Sequence, residues 1–292
     1  MKLALYNSCL LHWEPERLFA WAAEQGFRGV ELHGGPRFAH VDWSAVADGA
    51  ADAKALLAAQ ERYGLPIVGL MYGALPFLSP DPDERRAAAQ RIGVLLRAAA
   101  RLGVPIVSTF TGRDPAKTLE QNLDGFADVF PAIADLAESL GVRLAFENCP
   151  MYEFWPPVHN IAVSPTMWRA MFELVPSPAL GLNFDPSHLA WQGVDYARAV
   201  REFRDRIFIA QAKDTEKLPD TLREEGMLHH RWWRHRIPGQ GDVDWSAFLT
   251  SLQEIGYDGY LSIEHEDPVW TGSDERVTKG LVLAKGHLER FI

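Results

Sequence analysis

The sequence predicts an α/β fold, a (β/α)8 TIM barrel folded as a single domain over residues 1–292. Three observations carry that expectation. Short β-rich apolar runs alternate with helical stretches in eight units along the chain. Several helices end at a glycine just before the next run, where a left-handed cap turns the chain back. No GxGxxG follows the first run, which argues against an open, doubly wound sheet. Alternating strands and helices imply a parallel sheet with right-handed crossovers, and eight such units over this length close into a barrel.

The elements follow in order. The first apolar run is 3–6 and the second 29–32, reached through a helix carrying Leu18, Trp21 and Ala22. A single alanine-rich helix over 46–63 is expected before the third run, 66–71. A long helix over 83–102 leads to the fourth run, 105–110, and the fifth and sixth are 142–146 and 180–184. The seventh run is 207–212, the eighth 260–263 after a helix over 245–255, and a closing helix covers 277–291. The caps are Gly26, Gly64, Gly103, Gly141 and Gly256. The longest break in the pattern, 215–241, is rich in charge and tryptophan and is expected to form an extended loop over the site.

Composition narrows the function. With 47% hydrophobic and 23% charged residues the chain is ordinary globular protein, large enough to bury a core without disulfides. A net charge of −10 argues against a nucleic-acid partner. The N-terminal apolar stretch is interrupted by Asn7, Ser8, His12 and Glu14, so it reads as a strand rather than a signal peptide. No apolar run reaches about 20 residues, so no membrane span is expected. Cys9 and Cys149 follow the first and fifth runs, which leaves a pairing open; reduced thiols in a cytoplasmic protein are the expectation.

In a TIM barrel the chemistry stands at the C-terminal ends of the strands. Glu147, Asp185 and Glu264 each follow an apolar run directly. Taken singly, each could cap a helix or sit solvated in a loop. Together at one barrel mouth they would repel one another and lose solvation, a penalty that a divalent cation removes. Oxygen donors with one neutral group suit Mn²⁺ or Mg²⁺. His188, three residues past Asp185, is placed to reach a substrate oxygen, although it could equally be satisfied within its own turn. Lys213 and Arg236 could bind substrate oxygens or stabilise a developing alkoxide; the bland alternative is surface cations, with Lys213 paired to Asp214. His33 and Glu153 are weaker substrate-binding candidates. Trp155, Trp191, Trp232 and Trp233 could wall a sugar pocket or simply pack.

Five runs, Phe146-Glu-Asn-Cys-Pro, Asn183-Phe-Asp-Pro-Ser-His-Leu, Ala212-Lys-Asp-Thr-Glu, Arg236-Ile-Pro-Gly-Gln-Gly-Asp-Val-Asp-Trp and Ile263-Glu-His-Glu-Asp, resemble the xylose isomerase-like sugar phosphate isomerase/epimerase family, in the same order along nearly the whole chain. The resemblance implies that Glu147 and Glu264 bind metal and also act as the acid–base pair, that Asp185 is a further ligand, and that His188 binds substrate. It matches Arg236 to a substrate-holding arginine and Glu153 to an additional substrate contact. Many relatives carry histidine as the strand-seven ligand; here Gln211 takes its place, a weaker, neutral oxygen donor. One divalent cation is implied, Mn²⁺ foremost, with Mg²⁺, Co²⁺ or Zn²⁺ as alternatives. The implied partner is a small sugar or keto-sugar, and homo-oligomerisation is left open.

The chemistry expected is proton abstraction next to a carbonyl, through an enediolate, giving isomerisation or epimerisation. A lyase or dehydratase acting on a keto-inositol or 3-keto-glycoside shares the first steps. A metal-dependent endonuclease and a non-catalytic sugar-binding barrel are the other two classes; the acidic balance and the few histidines at strand ends count against the endonuclease.

Overall fold

The computed structural model describes residues 1–150 and 159–292; Glu153 and Trp155 therefore lie outside the described residues. The barrel strands are β1 (Lys2–Tyr6), β2 (Val30–His33), β3 (Ile67–Met71), β4 (Ile106–Thr109), β5 (Arg143–Glu147), β6 (Leu180–Phe184), β7 (Ile207–Ala212) and, after two strands that stand outside the barrel, β10 (Tyr260–Ile263). The outside pair is β8 (Asp214–Lys217) and β9 (Trp233–Arg236). All barrel neighbours are parallel and the ring closes in the order β1-β10-β7-β6-β5-β4-β3-β2, with Leu5 opposite Ile263 at the seam. Strands covered on both faces need apolar side chains on both, which is why the runs show little alternation in the sequence.

The helices α1 (Pro15–Glu24), α2 (Trp43–Ala47), α3 (Ala51–Tyr63), α4 (Pro82–Leu102), α5 (Leu123–Ser139), α6 (Pro165–Leu174), α7 (Pro186–Gln192), α8 (Tyr196–Glu202), α10 (Trp245–Glu254) and α11 (Asp274–Leu288) pack around this ring, whereas α9 (Pro219–Glu225) lies in the connection between β8 and β9 and buries none of its residues. The five expected cap glycines all adopt positive φ, between 61° and 75°. The single helix expected over 46–63 is instead two helices. Gly49 takes φ +80° and Ala50 is extended, so the chain turns between α2 and α3. Asp42 caps the first of them by accepting from the backbone N–H groups of Ser44 and Ala45.

Inside the barrel the inward-facing side chains change character with height. At the N-terminal end Ala4, Val68, Ile106, Ala145, Phe208 and Ile209 form a small apolar plug. Above it lie fully buried polar groups: Glu31, Ser108, Asn183, Gln211 and Ser262. At the C-terminal end Glu147, Asp185, Lys213 and Glu264 stand at or just beyond strand ends. Between barrel and helices the main apolar core is built from both, with Phe126, Phe130, Phe146 and Phe77 meeting in one aromatic cluster.

Candidate active site

A cavity of about 540 Å³ opens at the C-terminal end of the barrel. Tyr6, His33, Met71, Phe110, Glu147, Lys213, His235, Glu264 and Glu266 are among its walls. Glu147 ends β5, Asp185 follows β6, and Glu264 follows β10, and the three offer carboxylate oxygens within 4.8 Å of one another. Asp185 divides its two oxygens. Oδ1 accepts from the backbone N–H of Ser187 and so caps α7. Oδ2 accepts no hydrogen bond among the described residues, although Lys213 Nζ and His188 Nε2 each lie 3.3 Å away.

Lys213 sits inside this cluster rather than on the surface. Its ammonium is 2.8 Å from Glu264 Oε2 and 3.2 Å from Glu266 Oε2, and its side chain is 2% exposed. Burial alone would drive the proton off; Glu264, Glu266, Asp185 and Glu147 outweigh it and hold the ammonium well above its usual range. In turn the Lys213 charge holds Glu266 down at about 2. Burial pushes Glu147 up to about 7 and raises Glu264 well above the usual carboxylate range. Four carboxylates thus share one ammonium, and a divalent cation fits the remaining negative charge. Two buried oxygens, Asp185 Oδ2 and Gln211 Oε1, accept no well-formed hydrogen bond among the described residues, which also suits a cation.

Histidines border the cluster. His188, 2% exposed, has Nε2 at 3.6 Å from Glu147, and burial followed by the Lys213 charge lowers it to about 3. His33 is lowered to about 4 by burial, so it is a neutral imidazole; Tyr6 Oη lies 3.1 Å from its Nδ1. Gln211 is fully buried beneath, its amide nitrogen donating to Glu31.

Arg236 is held by three neighbouring side chains. Its guanidinium donates to Asp267, Glu216 and Gln240, and it does not line the cavity. The reason is register. β8 and β9 pair antiparallel, Asp214 opposite Arg236 and Lys217 opposite Trp233. Side chains alternate along a strand, so Arg234 and Arg236 meet Glu216 on one face while Trp233 and His235 take the other. His235, which the sequence did not single out, is the neighbour that reaches the cavity, with its ring centre 5.8 Å from that of His188. The tryptophans pack rather than wall the cavity: Trp191 stacks on Trp233 at 4.9 Å with Trp232 edge-on, and none of the three lines it. Two further cavity residues, Glu266 and Arg37, were also not anticipated. Glu266 was legible: it lies two positions beyond Glu264, and period two puts both on one side of an extended chain.

Asp214 does not pair with Lys213. Its carboxylate accepts from the backbone N–H groups of Thr215, Gly239, Gly241 and Val243 and from the indole of Trp245. This folds the Pro238-Gly-Gln-Gly segment around one buried anion. A Cβ at Gly241 would fall 2.4 Å from both Asp214 Oδ1 and the Thr215 carbonyl. Gly241→Ala is therefore expected to cost about 1–3 kcal/mol, read as a lower melting temperature; an unchanged transition would show that the loop gives way freely.

Fold and site define a barrel of the class that gathers acidic groups at the C-terminal ends of its strands. The sequence profile described as xylose isomerase-like TIM barrel matches residues 19–284. The chain belongs to the xylose isomerase-like TIM barrel family. Among its relatives, an inosose isomerase of Bacillus licheniformis is 26% identical over 195 residues, 64% of this chain and 63% of that protein. An inosose dehydratase of Geobacillus thermodenitrificans is 24% identical over 237 residues, 74% of this chain and 75% of that protein. The crystal structure of the IolI protein with a bound zinc atom superposes with a TM-score of 0.77 at 18% identity, covering 100% of this chain and 99% of that one. Among the described residues no helix is long and apolar enough to cross a membrane.

Proposed function

We propose that the protein is a divalent-metal-dependent sugar isomerase or epimerase that moves a proton next to the carbonyl of a ketose or keto-sugar. The observation that carries this reading is the meeting of Glu147, Asp185 and Glu264 within 4.8 Å, with Glu147 and Glu264 opening onto the cavity. Glu147, Asp185 and Glu264 would hold the cation, with the Gln211 carbonyl as a neutral fourth ligand. This oxygen donor set favours Mn²⁺, with Mg²⁺, Co²⁺ and Zn²⁺ to be compared in the same titration. When bound, the cation supplies Lewis-acid polarisation of the carbonyl and stabilises negative charge in the enediolate. One glutamate of the pair Glu147 and Glu264 takes the proton from carbon, and the other returns a proton to the neighbouring carbon or the opposite face. His33, His188 and Lys213 orient the substrate hydroxyls, and the apolar side chains of Met71 and Phe110 shelter one side of the cavity. Similarity to the inosose isomerase supports this reading.

Similarity to the inosose dehydratase supports a second outcome at the same site, in which the enediolate expels a neighbouring hydroxyl, protonated as it leaves as water. Solvent exchange separates the readings. With Mn²⁺ in D₂O and a panel of ketoses and keto-inositols, deuterium is expected at the carbon next to the carbonyl. An unsaturated product would identify dehydration. Absence of exchange in metal-loaded protein would refute both.

Metal uptake carries its own pH signature. Because burial raises Glu147 to about 7 in the metal-free protein, the cation must displace a proton below that pH. Apparent Mn²⁺ affinity is expected to fall as the pH is lowered through 7, by about tenfold per pH unit for each proton displaced. Calorimetry in buffers of different ionisation enthalpy checks this; an affinity independent of pH between 5 and 8 would count against a raised carboxyl.

A further inference from the structure

Branched apolar side chains usually fill the interior of a TIM barrel. Here the level beneath the carboxylate cluster holds a carboxyl and a carboxamide, Glu31 and Gln211, both fully buried. Burying them costs folding free energy unless they are paired or put to use. Gln211 Nε2 donates to Glu31 Oε2 at 3.2 Å, joining β7 to β2 across the barrel interior. The fold makes room for that carboxyl: Gly69 lies in register with Glu31 on β3, and a Cβ there would come to 3.3 Å from Glu31 Oε1.

The pairing fixes which end of the amide faces which way. In its ionised form Glu31 only accepts, so the amide nitrogen turns to it and the carbonyl oxygen turns away. That oxygen is buried and accepts no hydrogen bond among the described residues. Opposite a carboxamide, which can donate as readily as accept, the Gln211 amide would no longer be held one way round and could present its N–H₂ end, which repels a cation. We infer that Glu31 is a positioning residue that holds the Gln211 carbonyl as a ligand oxygen for the cation. The inference rests on the metal reading proposed above and deepens it: an outer carboxylate gives a weak, neutral ligand a fixed direction.

The test is Mn²⁺ binding followed by the electron paramagnetic resonance of the free ion, which needs no turnover. It uses the full chain, Glu31→Gln, Gln211→Ala, the double variant and Asp185→Asn, each checked for a cooperative metal-free melt. Glu31→Asp, which retracts the acceptor but keeps the carboxylate, stands in should Glu31→Gln fail to fold. Outer-sphere partners of ligands commonly contribute 10–100-fold in affinity, so Glu31→Gln is expected to weaken Mn²⁺ binding by about that factor. Because Glu31 acts through Gln211, the double variant is expected to bind no more weakly than Gln211→Ala alone. Losses that multiply in the double variant would overturn the inference, as would unchanged affinity in Glu31→Gln. Unchanged binding in Asp185→Asn would instead show that the metal reading itself has failed, and the role of Glu31 would fall with it.

Discussion

Glu264→Gln is expected to remove turnover while leaving a folded protein that still takes up metal. The amide keeps an oxygen where the carboxylate had one and still accepts from Lys213, whose ammonium lies 2.8 Å from the present side chain. It cannot carry the proton. General acid–base groups contribute about 10²–10⁴-fold, so kcat should fall by that factor with Mn²⁺ saturating. Glu264→Ala should lose the ligand as well as the base and bind Mn²⁺ more weakly than Glu264→Gln. Parallel measurements of deuterium exchange and Mn²⁺ affinity distinguish the two roles. Near-normal exchange in Glu264→Gln would remove Glu264 from proton transfer.

Lys213→Met tests the other large term. Methionine fills a similar volume without the charge, leaving Glu147, Asp185, Glu264 and Glu266 together with no ammonium among them. Removing one partner of a buried ionic cluster typically costs about 3–5 kcal/mol. The metal-free variant should lose about that much in urea denaturation. The sign with pH follows from the carboxyls: protonation relieves their repulsion, so the loss should be larger at pH 8 than at pH 5. Mn²⁺ should recover much of it, because the cation takes over as countercharge. Equal stability of the variant and the parent in the absence of metal would mean that the carboxyls already stay protonated and need no partner.

The barrel was legible because its signals are local. A strand buried on both faces is an apolar run, a helix end needs a left-handed residue, and both leave marks within a few positions. The convergence of Glu147, Asp185 and Glu264 was legible for a related reason: closure brings all strand ends to one rim, so position at a strand end becomes position in space. The split between α2 and α3 was not, because alanine-rich sequence suits one helix as well as two. Lys213 beside Asp214 suggested the nearest ion pair, yet the observed partners come from β10 and β6, and Asp214 closes a distant loop. Arg236 and His235 could not be told apart without the pairing register of β8 and β9, on which the assignment of faces depends. Glu31 was hidden inside the second apolar run, where a single acid looks like an ordinary interruption.

The separation of the β8–β9 ribbon from the barrel has an evolutionary corollary. The ring of strands supplies the carboxylates, whereas His235 arrives on an antiparallel pair whose return to the barrel is gathered around Asp214. Such an arrangement leaves the ribbon outside the hydrogen-bonded ring of strands. A ribbon of different length or sequence, grafted between Asp214 and Gly239, is expected to change what meets the substrate without altering the barrel-rim carboxylates proposed to move the proton. Drift in substrate preference across related chains should therefore concentrate in this insert, while the rim residues of the barrel stay under common constraint.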